Sequence, residues 1–367
     1  MQLRVRLNPA LQTLPTYQPG RPIEEVAREL GLKASSIIKL ASNENPLGPS
    51  RAALRAMQKA LFRLNLYPDG NAFALKQKLA RKLGVGTQNL VLGNGSNEVI
   101  EFIGHACMRQ GAEVVVSQYC FAIYPLIARL FGAKVITVPA KQLGHDIPAM
   151  LDALTPRTTV VFVANPNNPT GTLASKSAIR RIVREVPDEV LLVLDEAYLE
   201  YLSQPLDLLP LIRSGRKPNL LLMRTFSKIY GLAGLRLGYG IGHADLIAAL
   251  EKVRQPFNIN SLVQAGGLAA LDDSQHLART KANNERGRTL FETTFKRWRL
   301  EFASSAANFV LLRVGDGARC FAELQRRGII TRPMGGYDLP EWLRISIGTV
   351  QENRRCLCAL REILGKR

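Results

Sequence analysis

At 367 residues, with 46% hydrophobic and 22% charged content, the chain is long enough for one large domain or two ordinary ones. No apolar run reaches the roughly 18 to 20 residues of a membrane helix, and MQLRVRLNPALQTLPTYQPG lacks the apolar core of a secretion signal. A cytoplasmic protein without a membrane partner is expected. The net charge of +19 would suit nucleic acid, but the arginines are scattered through IRRIVRE, RSGRK, RTKANNERGR and LREILGKR. With no basic tail, aromatic-basic stripe or helix-turn-helix pattern beside them, most are expected to be solvated surface whose field draws in small anions. Nucleic acid is not expected.

Five scattered cysteines (Cys107, Cys120, Cys320, Cys356, Cys358) point to reduced thiols, because their odd number leaves no paired framework. The C-x-C at the C-terminal end reads as core packing. Only four histidines accompany it, so no metal is expected.

PIEEVARELG (22 to 31) predicts a short helix, with proline at its first position, acids in the first turn and glycine past its end. NAFALKQKLARKLG (71 to 84) predicts another, capped by asparagine and closed by glycine. From about 90, β-rich runs alternate with helical stretches: LVLG, EVVVS, AKVITV, TVVFVA, VLLVLDEAY, LLLMRT and LRLGYGIG. Such continuous apolar strands imply an α/β domain with a mostly parallel, mixed sheet flanked by helices. ANFVLLRV, GIITRPM and WLRISIG, set among helices near 317–327 and 350–366, predict a smaller α+β domain. An Arg-rich helix over roughly 274–298 should connect the two. The expected division is 1–40 for an N-terminal arm with part of the small domain, 41–255 for the large domain and 256–367 for the small one.

Ligands of parallel sheets bind beyond the carboxyl ends of the strands, so the residues after each run carry the chemistry. After LVLG, NGSNEVIEFIGHAC offers glycines and a helix N-terminus near Ser96, a setting for phosphate. QYCFAIYPLIA follows EVVVS and offers a ring for a planar ligand to lie on. NPNNPTG follows TVVFVA with amide donors at Asn167 and Asn168. VLLVLDEAY ends in Asp195, which needs a cationic partner if buried, and Tyr198 comes three residues later. Past LLLMRT stands Lys228, with Thr225, Ser227 and Arg236 suited to hold phosphate. Pyridoxal phosphate answers all of these at once: an amine for its aldehyde, a carboxylate for its ring nitrogen, and a phosphate cage.

These residues resemble the fold type I pyridoxal-phosphate aminotransferases, and within them the histidinol-phosphate aminotransferase branch. NPNNPTG and SKIYGLAGLRLGYG carry the superfamily likeness; YQPG and NENPLGP carry the narrower one, and the likeness spans essentially the whole chain. The resemblance implies Lys228 as the lysine that condenses with the cofactor and shuttles the proton. It implies Asp195 on the pyridine nitrogen, and Tyr198 and Asn168 on the ring oxygen. Ser96, Asn97, Glu98, Thr225, Ser227 and Arg236 would lie around the phosphate, and Tyr67 would reach the phosphate of a partner subunit in a homodimer. Arg344 would take the substrate's anionic group, with Tyr17, Asn45, Asn308 and Arg332 as further substrate contacts. Phe121 is the expected stacking ring, with Tyr119 left open. The implied reaction passes the amino group of L-histidinol phosphate to 2-oxoglutarate. The alternatives are an aminotransferase for aromatic or other amino acids and a decarboxylase of threonine phosphate. A cofactor-sensing transcription regulator would need a DNA-binding domain, and none is expected before residue 20.

Overall fold

Seven largely aliphatic runs build the central layer. They are β1 (Leu90–Asn94), β2 (Glu113–Ser117), β3 (Lys134–Val138), β4 (Thr158–Ala164), β5 (Leu191–Asp195), β6 (Leu220–Thr225) and β7 (Leu237–Gly242). The computed structural model describes residues 5–12, 14–16 and 20–366. The spatial order is β1-β7-β6-β5-β4-β2-β3. All strands run one way except β7, which is antiparallel to both β1 and β6. Buried side chains alternate between the faces, Leu192, Leu194, Leu220 and Leu222 on one and Val193, Leu221 and Met223 on the other. Both faces are covered, as their unbroken hydrophobicity requires.

Register places the functional ends together. Ala164 pairs with Asp195 and Asp195 with Met223, so β4, β5 and β6 stop along one edge. Everything that follows them is delivered to that edge.

The second layer is a four-stranded antiparallel sheet that includes Phe302–Ala303, Phe309–Arg313, Arg332–Pro333 and Trp342–Ser346. Helices Ser274–Arg297, Gly317–Arg326 and Val350–Ile363 cover it, with Phe291, Phe295, Val310, Leu312, Leu324, Leu343 and Leu360 in its core. Ile38–Lys39 pairs in parallel with Ile329–Ile330, and Leu40 enters the same core, which ties the N-terminal segment to this layer. Helix Ser261–Ala270 lies beyond the expected boundary at 255, yet Val263 and Ala270 belong to the core of the large sheet. The hydrophobic core of the large layer therefore runs on to Leu271. Cys356 is buried, whereas Cys358 on the opposite side of its helix is exposed, so only the first packs the core.

Helix α1 (Ile23–Leu30) ends at Gly31 in the left-handed region, as its sequence predicts. Helix α2 (Arg51–Ala60) packs on Ser261–Ala270. Helix α3 (Phe73–Leu83) closes at Gly84, but asparagine does not cap it. Its first residue is Phe73, and the carboxylate of Asp69 accepts the N–H groups of both Asn71 and Phe73 at 2.9 and 2.8 Å. An aspartate two residues earlier does the work expected of Asn71.

Asp69→Ala should therefore lower the unfolding free energy by about 1 kcal/mol, the usual cost of a lost cap, while Asn71→Ala should leave it nearly unchanged. Urea denaturation of the two variants measures the difference.

Candidate active site

The cleft at the strand edge has a volume of about 380 Å³. Of the expected residues, Lys228, Asp195, Tyr198, Ser96, Asn97, Phe121, Asn168, Thr225, Ser227, Arg236, Arg332 and Arg344 line it.

Asp195 is the last residue of β5 and is buried. Burial raises its pKa, opposed by hydrogen bonds from the Tyr124 hydroxyl and the Ala197 N–H and by the charge of Lys228. The Tyr124 hydroxyl donates to Oδ2 at 2.6 Å, and the Ala197 N–H donates to Oδ1 at 3.0 Å. Both donors are neutral. A protonated nitrogen facing this carboxylate would supply the missing counter-charge.

Lys228 sits in the turn after β6, where Nζ donates to the Ser42 carbonyl at 3.2 Å and lies 5.7 Å from the Tyr198 ring centre. Burial lowers its pKa to about 8, with Arg344 and Arg236 pushing the same way and Glu44 and Asp195 opposing. At pH 7.4 roughly a fifth of its amine is therefore neutral, against about a thousandth for an ordinary lysine. The Tyr198 hydroxyl accepts from Asn43 Nδ2 at 3.0 Å, and burial pushes its pKa up to about 12. It remains a phenol that can donate.

Arg344 Nη1 donates to Asn168 Oδ1 at 2.6 Å and Nη2 to the Ala41 carbonyl at 2.8 Å. Its guanidinium carbon lies 5.3 Å from the centre of the Phe309 ring, a cation–π separation. With its carbonyl oxygen engaged, Asn168 keeps its amide nitrogen as a donor.

The opposite corner is built for an anion. Helix α4 (Ser96–Cys107) begins after Gly95 at φ 76°. A Cβ on Gly95 would fall 2.2 Å from Arg236 Nη2, and one on Gly238 would fall 2.2 Å from the Ser96 nitrogen. These glycines let a guanidinium approach the positive end of a helix, an arrangement that favours an anion between them. Thr225 Oγ1 and Ser227 Oγ, 3.0 Å apart, add hydroxyls to the same corner. An anion corner, a buried carboxylate in need of a cation, an amine of depressed pKa and the Phe121 ring fit pyridoxal phosphate.

Among the described residues, the remaining expected ones do not line the cleft of the single chain. Glu98 accepts from the Asn94 N–H and from Asn258 Nδ2, both at 2.6 Å, so its carboxylate closes the helix start and does not line the cleft. Asn45 donates to the Ile229 carbonyl and Thr280 Oγ1, and also stays out of the cleft. Asn308 donates to the Asn43 carbonyl and stands behind the wall. Asn167 is spent on the Tyr119 carbonyl and Thr170. Tyr119 packs with Met334 and Trp342, and of the two candidate stacking rings Phe121 lines the cleft and Tyr119 does not. Tyr67 is exposed and stacks on Phe257 at 4.8 Å. Tyr17 lies outside the described residues.

Tyr124, Asn43, Glu44 and Tyr337 also line the cleft and are not among the residues expected from sequence. Tyr124 had a signal: it stands one helical turn after Phe121, a hydroxyl in an otherwise apolar run. Asn43 had none, because its left-handed φ of 56° becomes evident only in the folded backbone.

The sequence profile of the class I and II aminotransferases matches residues 35–360. A histidinol-phosphate aminotransferase of Thiobacillus denitrificans is 50% identical over 357 residues, 97% of this chain and 93% of that one. The enzyme of the same name from Akkermansia muciniphila is 47% identical, over 99% of this chain and all of its own length. Among solved structures, the histidinol-phosphate aminotransferase of Sinorhizobium meliloti in complex with pyridoxal-5'-phosphate superposes with a TM-score of 0.87. It is 29% identical, over 98% of each chain.

Only a neutral amine attacks an aldehyde, so uptake of pyridoxal phosphate by protein stripped of it should rise with pH through about 8 and level off above. Arg344→Gln removes a cation that depresses Lys228 and should move the midpoint upward. Stopped-flow absorbance follows both, and a wild-type midpoint near the ordinary lysine value of 10.5 would contradict the assignment.

Proposed function

The chain belongs to the class I and II aminotransferase family, and from that premise we propose that it moves the amino group of L-histidinol phosphate to 2-oxoglutarate in histidine biosynthesis. The observation that carries the reading is Lys228 and Asp195 in one cleft, an amine depressed by burial and a carboxylate in need of a cation, with Arg332 and Arg344 at the same wall. Relatives 47 to 50% identical bear the histidinol-phosphate name, and that supports the choice of donor.

When bound, pyridoxal phosphate supplies an aldehyde that condenses with amines and a ring that draws electron density from the adjoining carbon. The residues of the chain do the rest. Ser96, Asn97, Thr225, Ser227 and Arg236 hold the phosphate, and Phe121 gives the ring a flat support. Asp195 keeps a proton on the ring nitrogen, and the Tyr124 hydroxyl steers its carboxylate. Tyr198 and Asn168 donate to the ring oxygen. Lys228 Nζ takes the proton from the substrate carbon and returns it, which suits an amine whose pKa of about 8 lies near working pH. Arg344, with Arg332 beside it, binds the phosphate of the donor and the carboxylates of the acceptor in turn.

The protein works as a homodimer in the cytoplasm in this reading. Phe62, Leu64, Leu66, Tyr67 and Phe257 are all exposed, and Tyr67 stacks on Phe257, apolar surface of the kind that a partner covers. A second copy would cover it and bring Tyr67 to the partner's phosphate corner. All five cysteines stand as free thiols, in keeping with a reducing compartment.

With 2-oxoglutarate as acceptor, kcat/KM for L-histidinol phosphate should exceed by at least about tenfold that for phenylalanine, which lacks the phosphate, and that for threonine phosphate, which keeps a phosphate but lacks the imidazole. Carbon dioxide released from threonine phosphate without any acceptor would overturn the proposal.

A further inference from the structure

Behind the sheet lies a buried charged pair that no step above uses. Asp195 and Thr225 point toward the cleft, so Glu196 and Arg224, one residue on and one residue back along their strands, point to the other face. Arg224 Nε donates to Glu196 Oε2 at 2.8 Å, and both side chains are buried. The charge of Arg224 also opposes the rise that burial gives the Tyr239 pKa, and Tyr239 stands directly opposite it on β7. Tyr201, Phe226 and Tyr230 belong to the apolar cluster on this face, as Tyr239 does.

Its position matters more than its charge. The backbone ladder between β5 and β6 ends where the Glu196 N–H meets the Met223 carbonyl at 2.8 Å. Arg224 continues the tie one residue further by side chain, toward β5 on one side and β7 on the other. On the near face these three strands end in, or begin from, the groups that grip the cofactor. Asp195 closes β5, Thr225 closes β6 ahead of Ser227 and Lys228, and Arg236 precedes β7.

We propose that Arg224 is a positioning residue. It grips Glu196 and faces Tyr239 behind the sheet, and so sets the spacing among the ring-nitrogen, amine and phosphate anchors on the front. The inference rests on the pyridoxal-phosphate reading above. A buried ion pair is a poor source of stability, since apolar replacements are often neutral or better. A planar guanidinium bonded to Glu196 on one strand and facing Tyr239 on the other does supply direction, which lysine cannot reproduce.

The test compares wild-type protein with Arg224→Lys, which keeps the charge and loses the fork, and with Tyr239→Phe, which loses only the hydroxyl. Three quantities are read: the dissociation constant for pyridoxal phosphate, the induced circular dichroism of its visible band per bound cofactor, and the melting temperature of the stripped protein. For Arg224→Lys the dissociation constant should rise by about tenfold, the size of one lost charge-assisted hydrogen bond. The induced signal should fall in both variants, while melting temperatures stay close to wild type. Wild-type affinity and an undiminished signal in both variants would overturn the proposal, as would affinity that falls only in step with melting temperature. If Arg224→Lys does not fold, Tyr239→Phe decides alone, because its shape is unchanged. Wild-type protein that takes up no pyridoxal phosphate would instead sink the reading beneath the proposal.

Discussion

Desolvation at the carboxyl edge of the large sheet governs the site. A strand buried on both faces delivers Asp195 where water cannot solvate it, and the turn after the next strand delivers Lys228 to the same cleft. Burial drives both groups toward their neutral forms. In a structural role that would be a defect, costing several kcal/mol per stranded charge. In a cleft that takes a molecule with a basic ring nitrogen, an aldehyde and a phosphate, the same penalty prepares the carboxylate for a cation and the amine for a carbonyl. The neighbouring cations sharpen this: Arg344 and Arg236 hold Lys228 down.

The surrounding fold can be read as the means of keeping these groups apart yet within one ligand's reach. Parallel strands β4, β5 and β6 stop in register. The reversed strand β7 lets Arg236 enter the cleft from the far side, against the start of helix α4, where Gly95 and Gly238 leave no room for a Cβ. The smaller layer closes the other wall through Arg344, which bridges Asn168 and the Ala41 carbonyl and so links both layers with the N-terminal segment.

Much of this was legible in the sequence, for a physical reason. Buried parallel strands are nearly continuous apolar runs, and the polar residues that interrupt them at their ends stand out: Asp195, Asn168, Thr225 and Lys228 were each visible in that way. Residues away from those strand ends were not. Glu98, Asn45 and Asn308 sit in the expected motifs but turn to satisfy backbone and amide groups behind the cleft, and a motif does not say which side of a turn a side chain takes. Tyr124 was passed over because a tyrosine on an apolar helix face reads as core; only the folded chain brings its hydroxyl to Asp195. The cap of α3 failed similarly, since a left-handed Ala72 moves the role from Asn71 back to Asp69. The core contribution of helix Ser261–Ala270 depends on packing over α2, which no local pattern records.

The central claim is that Lys228 is the one amine this cleft prepares for an aldehyde. Protein carrying pyridoxal phosphate can be reduced with borohydride, digested and mapped by mass spectrometry. The account predicts a stable pyridoxyl adduct on Lys228 and on no other lysine. An adduct confined to a different lysine, or none on a protein that binds the cofactor, would contradict it.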